Sequence, residues 1–172
     1  MLPALHDDVI VLTGYTCPDI PAHLAGANGQ ATHRFGRWPE TSAPDTIRDS
    51  FARWAHEWET GGSTRAFAAR DQHTGRLLGG CELRIQPRGS AHVCYWTSPA
   101  ARGCGYATRS LVLLLRYARV IGIRQAKAHI AADNHASRRV AEKAGLLSVT
   151  AFTPADGTGM VQYLINLTNS SY

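Results

Sequence analysis

The chain has 172 residues, of which 44% are hydrophobic and 18% charged, proportions typical of one globular domain spanning residues 1–172. No apolar run approaches the roughly 20 residues of a membrane span, and the N-terminus lacks a cationic start and a cleavage site, which predicts a cytoplasmic protein with no membrane partner. The net charge of +5 raises nucleic acid as a partner, but the basic residues are dispersed and form no cluster of five, which disfavours direct nucleic-acid binding.

The cysteine pattern argues against a fold held together by disulfide bonds or by a metal ion. The four cysteines are scattered and form no C-x-x-C pair, so we expect reduced thiols, with neither a disulfide framework nor a metal site. Cys81 and Cys94 fall within strand-like runs and are predicted to be small core residues.

The apolar periodicity predicts a mixed α/β fold in the order β-α-α-β-β-β-α-β-α-β-β. A first strand at 8–15 precedes two helices, and Ser42 is the predicted capping hydroxyl of the second. In that helix Trp54 and Trp58 recur at helical spacing and are expected in the core. The other predicted elements are strands at 65–71, 76–85, 91–98, 125–132, 146–152 and 159–167, and helices at 105–121 and from Asp133 or Asn134 to Gly145.

The junction between strand 91–98 and the following helix reads PAARGCGYATRS, at 99–110. A helix that begins with glycines presents unpaired backbone N–H groups and a partial positive charge, which suit a phosphate, and Arg102 adds a fixed cation beside them. Neither G-x-x-x-x-G-K-[ST] nor the dinucleotide-binding G-x-G-x-x-G is present. On the loop alone, a plain helix cap and an anion site both remain open.

Three segments in the right order then resemble one family. Arg102-x-x-Gly105-x-Ala107 matches Q/R-x-x-G-x-G/A, the pyrophosphate loop of the GNAT N-acetyltransferases. The pair Tyr95-Trp96 before it, and the run from Asn134 to Gly145 after it, are similar to the branch that includes the ribosomal-protein N-terminal acetyltransferases. The resemblance is specific over 91–146.

This resemblance implies a GNAT-like fold with a splayed central pair of parallel strands, 91–98 and 125–132, and acetyl-CoA bound between them as co-substrate. It implies that the pantetheine arm pairs with backbone at the end of the first strand and lies near Asn134, at the start of the helix after the second strand, while the pyrophosphate lies on the glycine loop. The implied acetyl-CoA residues are Tyr95, Trp96, Thr97, Arg102, Gly103, Cys104, Gly105, Tyr106, Ala107, Thr108, Asn134 and Ser137. Asn134 is equally expected to cap its helix.

Direct transfer to an amine requires a base, since an alkyl amine has a pKa of about 10.4. His92 lies where many relatives carry a glutamate, and histidine suits that role; a plain strand histidine is the alternative. Glu82 is the rival, as base, as the residue that orients His92, or as a partner of Arg84 on the same sheet face. The tyrosine that many relatives use as acid is replaced by Ala141, and Ser137 is the substitute by position.

The acceptor is predicted to be a small primary amine, such as an amino-acid-like metabolite or an antibiotic. N-terminal acetylation of a protein such as a ribosomal protein is the alternative, and a non-catalytic module that binds CoA or a partner is a third reading. In this branch the segment between the first two helices commonly lines the acceptor cleft, which makes Arg34, Arg37, Trp38 and Glu40 substrate-binding candidates. Arg84, on the strand at 76–85, is a further candidate. The arginines would repel a polycation. A homodimer is an open expectation.

Overall fold

The structure is a computed structural model that describes residues 5–27 and 42–167. Within these ranges eight strands form one mixed sheet in the order β1-β2-β3-β4-β5-β6-β8-β7. The strands are β1 (Leu5–His6), β2 (Ile10–Thr13), β3 (Thr64–Asp71), β4 (Leu77–Gln86), β5 (Ser90–Thr97), β6 (Gln125–Ala131), β7 (Leu147–Phe152) and β8 (Met160–Asn166). The helices are α1 (Ile20–Ala27), α2 (Pro44–Thr60), α3 (Tyr106–Val120) and α4 (His135–Lys143).

The sheet is antiparallel except at its centre, where β5 and β6 run parallel with α3 as the crossover between them. The predicted order of elements is confirmed, with one short strand added at the N-terminus. The Asp7 carboxylate accepts hydrogen bonds from the amides of Val9 and Ile10 at 2.8 and 2.9 Å, which turns the chain there. The strand predicted at 8–15 is therefore the second of two short antiparallel strands.

Two consecutive residues of β4, which point to opposite faces of the sheet, show how the helices cover both faces. The Cys81 thiol lies 3.8 Å from the Ser110 carbonyl of α3, in the main apolar core. Gly80 faces the other way, where a Cβ would collide with the Tyr15 hydroxyl of the layer formed by α1 and α2. Helices therefore pack on both faces of the sheet, and no side chain larger than hydrogen fits at Gly80.

The two tryptophans of α2 are core residues, as predicted. Trp58 packs against the main core and donates a hydrogen bond to the Ala66 carbonyl at 3.1 Å, and Trp54 packs on the smaller cluster around Phe51. Two expectations were wrong. Ala43, without a side-chain cap, precedes α2 in place of Ser42, which is itself buried. Cys94 is an exposed free thiol rather than a core residue, because it alternates with the buried Val93 onto the opposite, polar face of β5.

In the part of the chain that the structure describes, no helix combines the length and the apolar character needed to cross a bilayer.

Candidate active site

The parallel strands β5 and β6 pair only at their amino ends. Their register runs Ser90 with Gln125, Ala91 with Ala126 and His92 with Lys127, and stops there, although both strands continue. On its other side β5 stays paired with β4 as far as Thr97. The backbone of β5 from 93 to 97 therefore presents an edge toward a gap that widens away from His92, and an extended ligand can hydrogen-bond to such an edge.

The glycine loop lies at the wide end of this gap. Gly103 and Gly105 have φ values of +79° and +80°, and a Cβ built on either would meet nothing within 4 Å. The Arg109 amide donates to the Gly105 carbonyl at 3.1 Å, so the amides before it belong to the helix start that has no intrahelical acceptor. Arg102 and Cys104 are exposed beside them. The loop is an open, positively polarised surface with the shape and charge that suit a phosphate group.

Tyr95 connects β5 to the start of α4. Its hydroxyl donates to the Ser137 carbonyl at 2.8 Å and accepts from the Ser137 hydroxyl at 2.9 Å. The Asn134 side chain accepts from the Ser137 amide at 3.1 Å, so the predicted helix cap is confirmed. Burial raises the pKa of Tyr95 to about 12, which keeps its proton in place at neutral pH.

The face of β5 turned away from α3 carries a polar group. In the register of β4 with β5, Glu82 lies opposite Cys94 and Arg84 lies opposite His92, so all four side chains share one face, as the turn length predicts. Glu82 forms an ion pair with Arg84 and is far less exposed than its partner. Of the three roles open to Glu82, pairing with Arg84 is the one that the geometry shows.

His92 lies at the point where β5 and β6 separate. Its ring meets that of His129, from β6, edge to face with centroids 4.4 Å apart. His129 is in turn within 3.1 Å of the Gln162 side-chain oxygen. Burial, followed by the charges of His129, Lys127 and Arg84, lowers the pKa of His92. His92 is therefore neutral at pH 7 and able to accept a proton.

The indole of Trp96 is directed away from the loop. Its Nε1–H donates to the Tyr15 hydroxyl at 3.1 Å, and its ring contacts His23 at 4.9 Å between centroids. On β4, Gly79, the register partner of Thr97, leaves room for the β5 backbone, because a Cβ there would collide with the Trp96 carbonyl. Trp96 therefore has only backbone atoms in the gap, and its side chain fixes α1 against the sheet.

The remaining acceptor candidates of the sequence, Arg34, Arg37, Trp38 and Glu40, lie outside the described residues. Sequence reasoning missed His129, Lys127 and the hydroxyl contact of Tyr95. The alternation of 125–132 predicted the strand, but only the parallel register shows which of its side chains lie beside His92.

The family is shown by comparison with known proteins. Residues 10–147 match the family model described as an acetyltransferase (GNAT) domain. The chain therefore belongs to the GNAT acetyltransferases and is an enzyme of the acyltransferase class; the family uses acetyl-CoA as acetyl donor. No curated protein matches the chain.

Solved structures share the fold at low identity. RimL, a ribosomal-protein α-N-acetyltransferase in complex with coenzyme A, is 19% identical with a TM-score of 0.83, over 95% of this chain and 98% of that one. A spermidine N-acetyltransferase from Vibrio cholerae, with CoA and spermine, is 16% identical at 0.80, over 94% and 98%. The microcin self-immunity acetyltransferase MccE, with acetyl-CoA and AMP, is 15% identical at 0.80, over 93% of both chains.

Proposed function

We propose that the chain transfers the acetyl group of acetyl-CoA directly to a primary amine, with acetyl-CoA bound in the gap between β5 and β6. One observation carries the proposal: the free backbone edge at 93–97 leads to the open helix start at 103–108. An extended amide-bearing arm fits the edge, and a pyrophosphate fits the amides and Arg102 beside them. The proposal places the protein in the cytoplasm, because acetyl-CoA is available there.

His92 is the proposed base. Acetyl-CoA supplies an activated thioester carbonyl; the amine nitrogen forms the new bond to its carbon as the bond to sulfur breaks. The amine has a proton to lose, and a neutral histidine at the point of strand separation accepts it. Glu82 does not fit this role as well, because Arg84 neutralises its carboxylate.

Ser137 is the proposed donor of the proton that the leaving sulfur takes up. It lies in the first turn of α4, on the side of the gap opposite the β5 edge, and its hydroxyl is already hydrogen-bonded to that of Tyr95. The raised pKa keeps the proton on Tyr95, so Tyr95 positions the Ser137 hydroxyl, and Ser137 regains from solvent the proton that it gives to sulfur. Tyr95 and Ser137 together thus replace the tyrosine that the sequence lacks at Ala141.

The proposed acceptor is a small primary amine such as an amino-acid-like metabolite or an antibiotic. Both a protein N-terminus and a small amine present the same reacting nitrogen to His92, so the protein N-terminus stays as the second candidate, supported by the fold shared with RimL. A panel of small amines and of peptides with free N-termini separates the two.

The test is release of free CoA thiol, with the acetylated product identified by mass spectrometry, across that panel. For any amine that is acetylated, we expect His92→Gln to lower kcat/KM by roughly 10²- to 10⁴-fold. His73→Gln, at an exposed histidine in the turn between β3 and β4, is the matched control and should retain the activity. Unchanged turnover in His92→Gln would remove the base from the proposal, and the absence of any acetylated product would overturn it.

A further inference from the structure

An open cavity of about 420 Å³ lies at the amino ends of β5 and β6, away from the glycine loop. We call it the basic cavity; among the residues that line it are Arg88, Arg124, Gln125, Lys127 and Asn166. Neither the proposed acetyl-CoA site nor the proposed acid and base use these residues.

The basic cavity opens onto the face that carries His92. Lys127 is the direct register partner of His92, so their Cα atoms are about 5 Å apart and their side chains share a face. Gln125 lies two residues before Lys127 on that face, and its amide donates to the Asn166 side-chain oxygen at 3.2 Å. The basic cavity therefore lies within a few carbon–carbon bonds of the nitrogen of an amine bound at His92.

The charges of the basic cavity have one sign. Among the described residues, the carboxylates within 4 Å of a cation pair with Arg48, Arg70, Arg84 and Arg109, and none pairs with Arg88, Arg124 or Lys127. On the strand positions around His92 the one carboxylate is Glu82, which Arg84 already neutralises. Three cations at one concave surface, with no carboxylate partner within the described ranges, attract an anion and repel a polycation.

The local backbone holds these cations together. Arg124 donates from its guanidinium to the Arg88 carbonyl at 3.0 Å and from its amide to the Gly89 carbonyl at 2.7 Å. Arg88 itself has φ +63° and ψ +27°, a left-handed conformation that is unfavourable for arginine. The turn thus keeps an arginine where glycine or asparagine would be less strained, and it places the Arg88 side chain at the rim of the basic cavity.

We propose that the basic cavity binds an anionic group, a carboxylate or a phosphate, on the amine that the enzyme acetylates, with Lys127 as the central contact. This inference rests on the proposed function and specifies its substrate class: an acceptor with an amine at one end and an anion a few bonds away. Polyamines are excluded, in contrast to the fold relative that binds spermine.

The test compares acceptors of equal length that differ only in the second end group. Hexylamine, hexane-1,6-diamine and 6-aminohexanoate form one series, and 5-aminopentanoate with 3-aminopropyl phosphate, a pair of matched length, separates carboxylate from phosphate. At pH 8, where His92 is neutral, we expect kcat/KM for the anionic members to exceed that of the neutral amine about tenfold or more, mainly through a lower KM.

Lys127→Gln should remove most of this preference, measured as the ratio of kcat/KM for 6-aminohexanoate to that for hexylamine in the same variant, and the double variant with Arg124→Gln should bring that ratio to about one. Lys143→Gln, at the exposed lysine that ends α4, is the matched control and should keep the preference. Equal rates for anionic and neutral amines, a preference for the diamine, or a preference that survives the double variant would overturn the inference and leave acetyl transfer intact. Acetylation of no amine at all would overturn both.

Discussion

The hydroxyl groups of Tyr95 and Ser137 are hydrogen-bonded to each other across the gap between β5 and α4. Tyr95 also donates to the Ser137 carbonyl at 2.8 Å, so its single hydroxyl makes both contacts between strand and helix. These two bonds fix the width of the opening at the point where β5 and β6 no longer pair.

Tyr95→Phe therefore changes the shape of the gap as well as its chemistry. We expect the free energy of unfolding to fall by about 1–2 kcal/mol, because the carbonyl and hydroxyl of Ser137 lose their partner, and the Kd for acetyl-CoA to rise several-fold. Urea unfolding and calorimetry measure the two effects. Tyr117→Phe is the control, since its hydroxyl has no hydrogen-bond partner among the described residues. A Tyr95→Phe protein with wild-type stability and affinity would contradict this role.

The lowered pKa of His92 predicts a specific pH profile for an alkyl amine acceptor. If neutral His92 removes the proton of the bound ammonium, kcat/KM rises with pH as His92 loses its own proton, and the plateau begins at a pH below 6.5. The plateau ends near the pKa of the amine, where the ammonium form of the acceptor is lost. In His92→Gln the plateau should vanish, and the rate should follow the fraction of neutral amine up to about pH 10.4. A plateau that persists in the variant would exclude His92 as the base.

The ion pair of Asp19 and Arg70 is predicted to be a main stabilising contact of the N-terminal region. The guanidinium donates to both carboxylate oxygens, at 2.6 and 2.7 Å, and both side chains are largely buried. Asp19→Asn leaves a buried cation uncompensated and should cost about 3–5 kcal/mol of unfolding free energy. Asp45→Asn, which breaks the exposed pair with Arg48, should cost less than about 1 kcal/mol. Similar losses of unfolding free energy in the two variants would contradict the prediction that the buried pair contributes more than the exposed pair.

The same pair adds an acid-sensitive contribution. Burial is the largest single influence on the pKa of Asp19 and raises it. The hydrogen bonds that the Asp19 carboxylate accepts from Arg70 and Thr16 together outweigh burial and hold the pKa below its ordinary value. The stabilisation is present above pH 3.8 and is lost as pH falls through the lowered value.

His23 should make the folded state sensitive to mild acid. The side chain is enclosed by Tyr15, Phe51 and Trp96, and burial lowers its pKa to about 4, partly opposed by Asp19. The unfolded chain then binds a proton near pH 6.5 that the folded one does not, so the free energy of unfolding should fall by up to about 1.4 kcal/mol per pH unit between pH 6.5 and 4. Below pH 4 this contribution levels off.

The check is the slope of stability against pH in that interval. His23→Gln should flatten it, even at a lower overall stability, whereas His56→Gln, at an exposed position of α2, should leave the wild-type slope. An unchanged slope in His23→Gln would mean that another group binds the proton.

Much of the site follows from local pattern. The odd-length turn between β4 and β5 is enough to place Arg84 and His92 on one face, and the register agrees. The glycines of the loop at 103–105 mark the helix start because L-residues rarely adopt their positive φ. The contact of His92 with His129 could not be predicted in this way, because a parallel register depends on the crossover through α3 rather than on a turn.

The errors also have physical reasons. Cys94 is apolar in character, and its strand is predicted correctly, but it alternates onto the polar face beside Glu82, where its thiol is exposed. Ser42 is a good capping residue by type, yet the chain enters α2 with Pro44 at the first turn and Ala43 before it. Side-chain type predicts the element; the three-dimensional packing decides which residue begins it.

Calorimetric titration with acetyl-CoA, of the wild type and of Gly105→Glu, tests the central claim most directly. The variant places a carboxylate in the open space before the helix start, where a pyrophosphate would lie. Gly75→Glu is the matched control, because Gly75 has a similar φ of +71° and equally open surroundings in the turn between β3 and β4. We predict micromolar binding by the wild type and by Gly75→Glu, and its loss in Gly105→Glu. Equal affinity of Gly105→Glu and the wild type, or no binding by the wild type, would contradict the account.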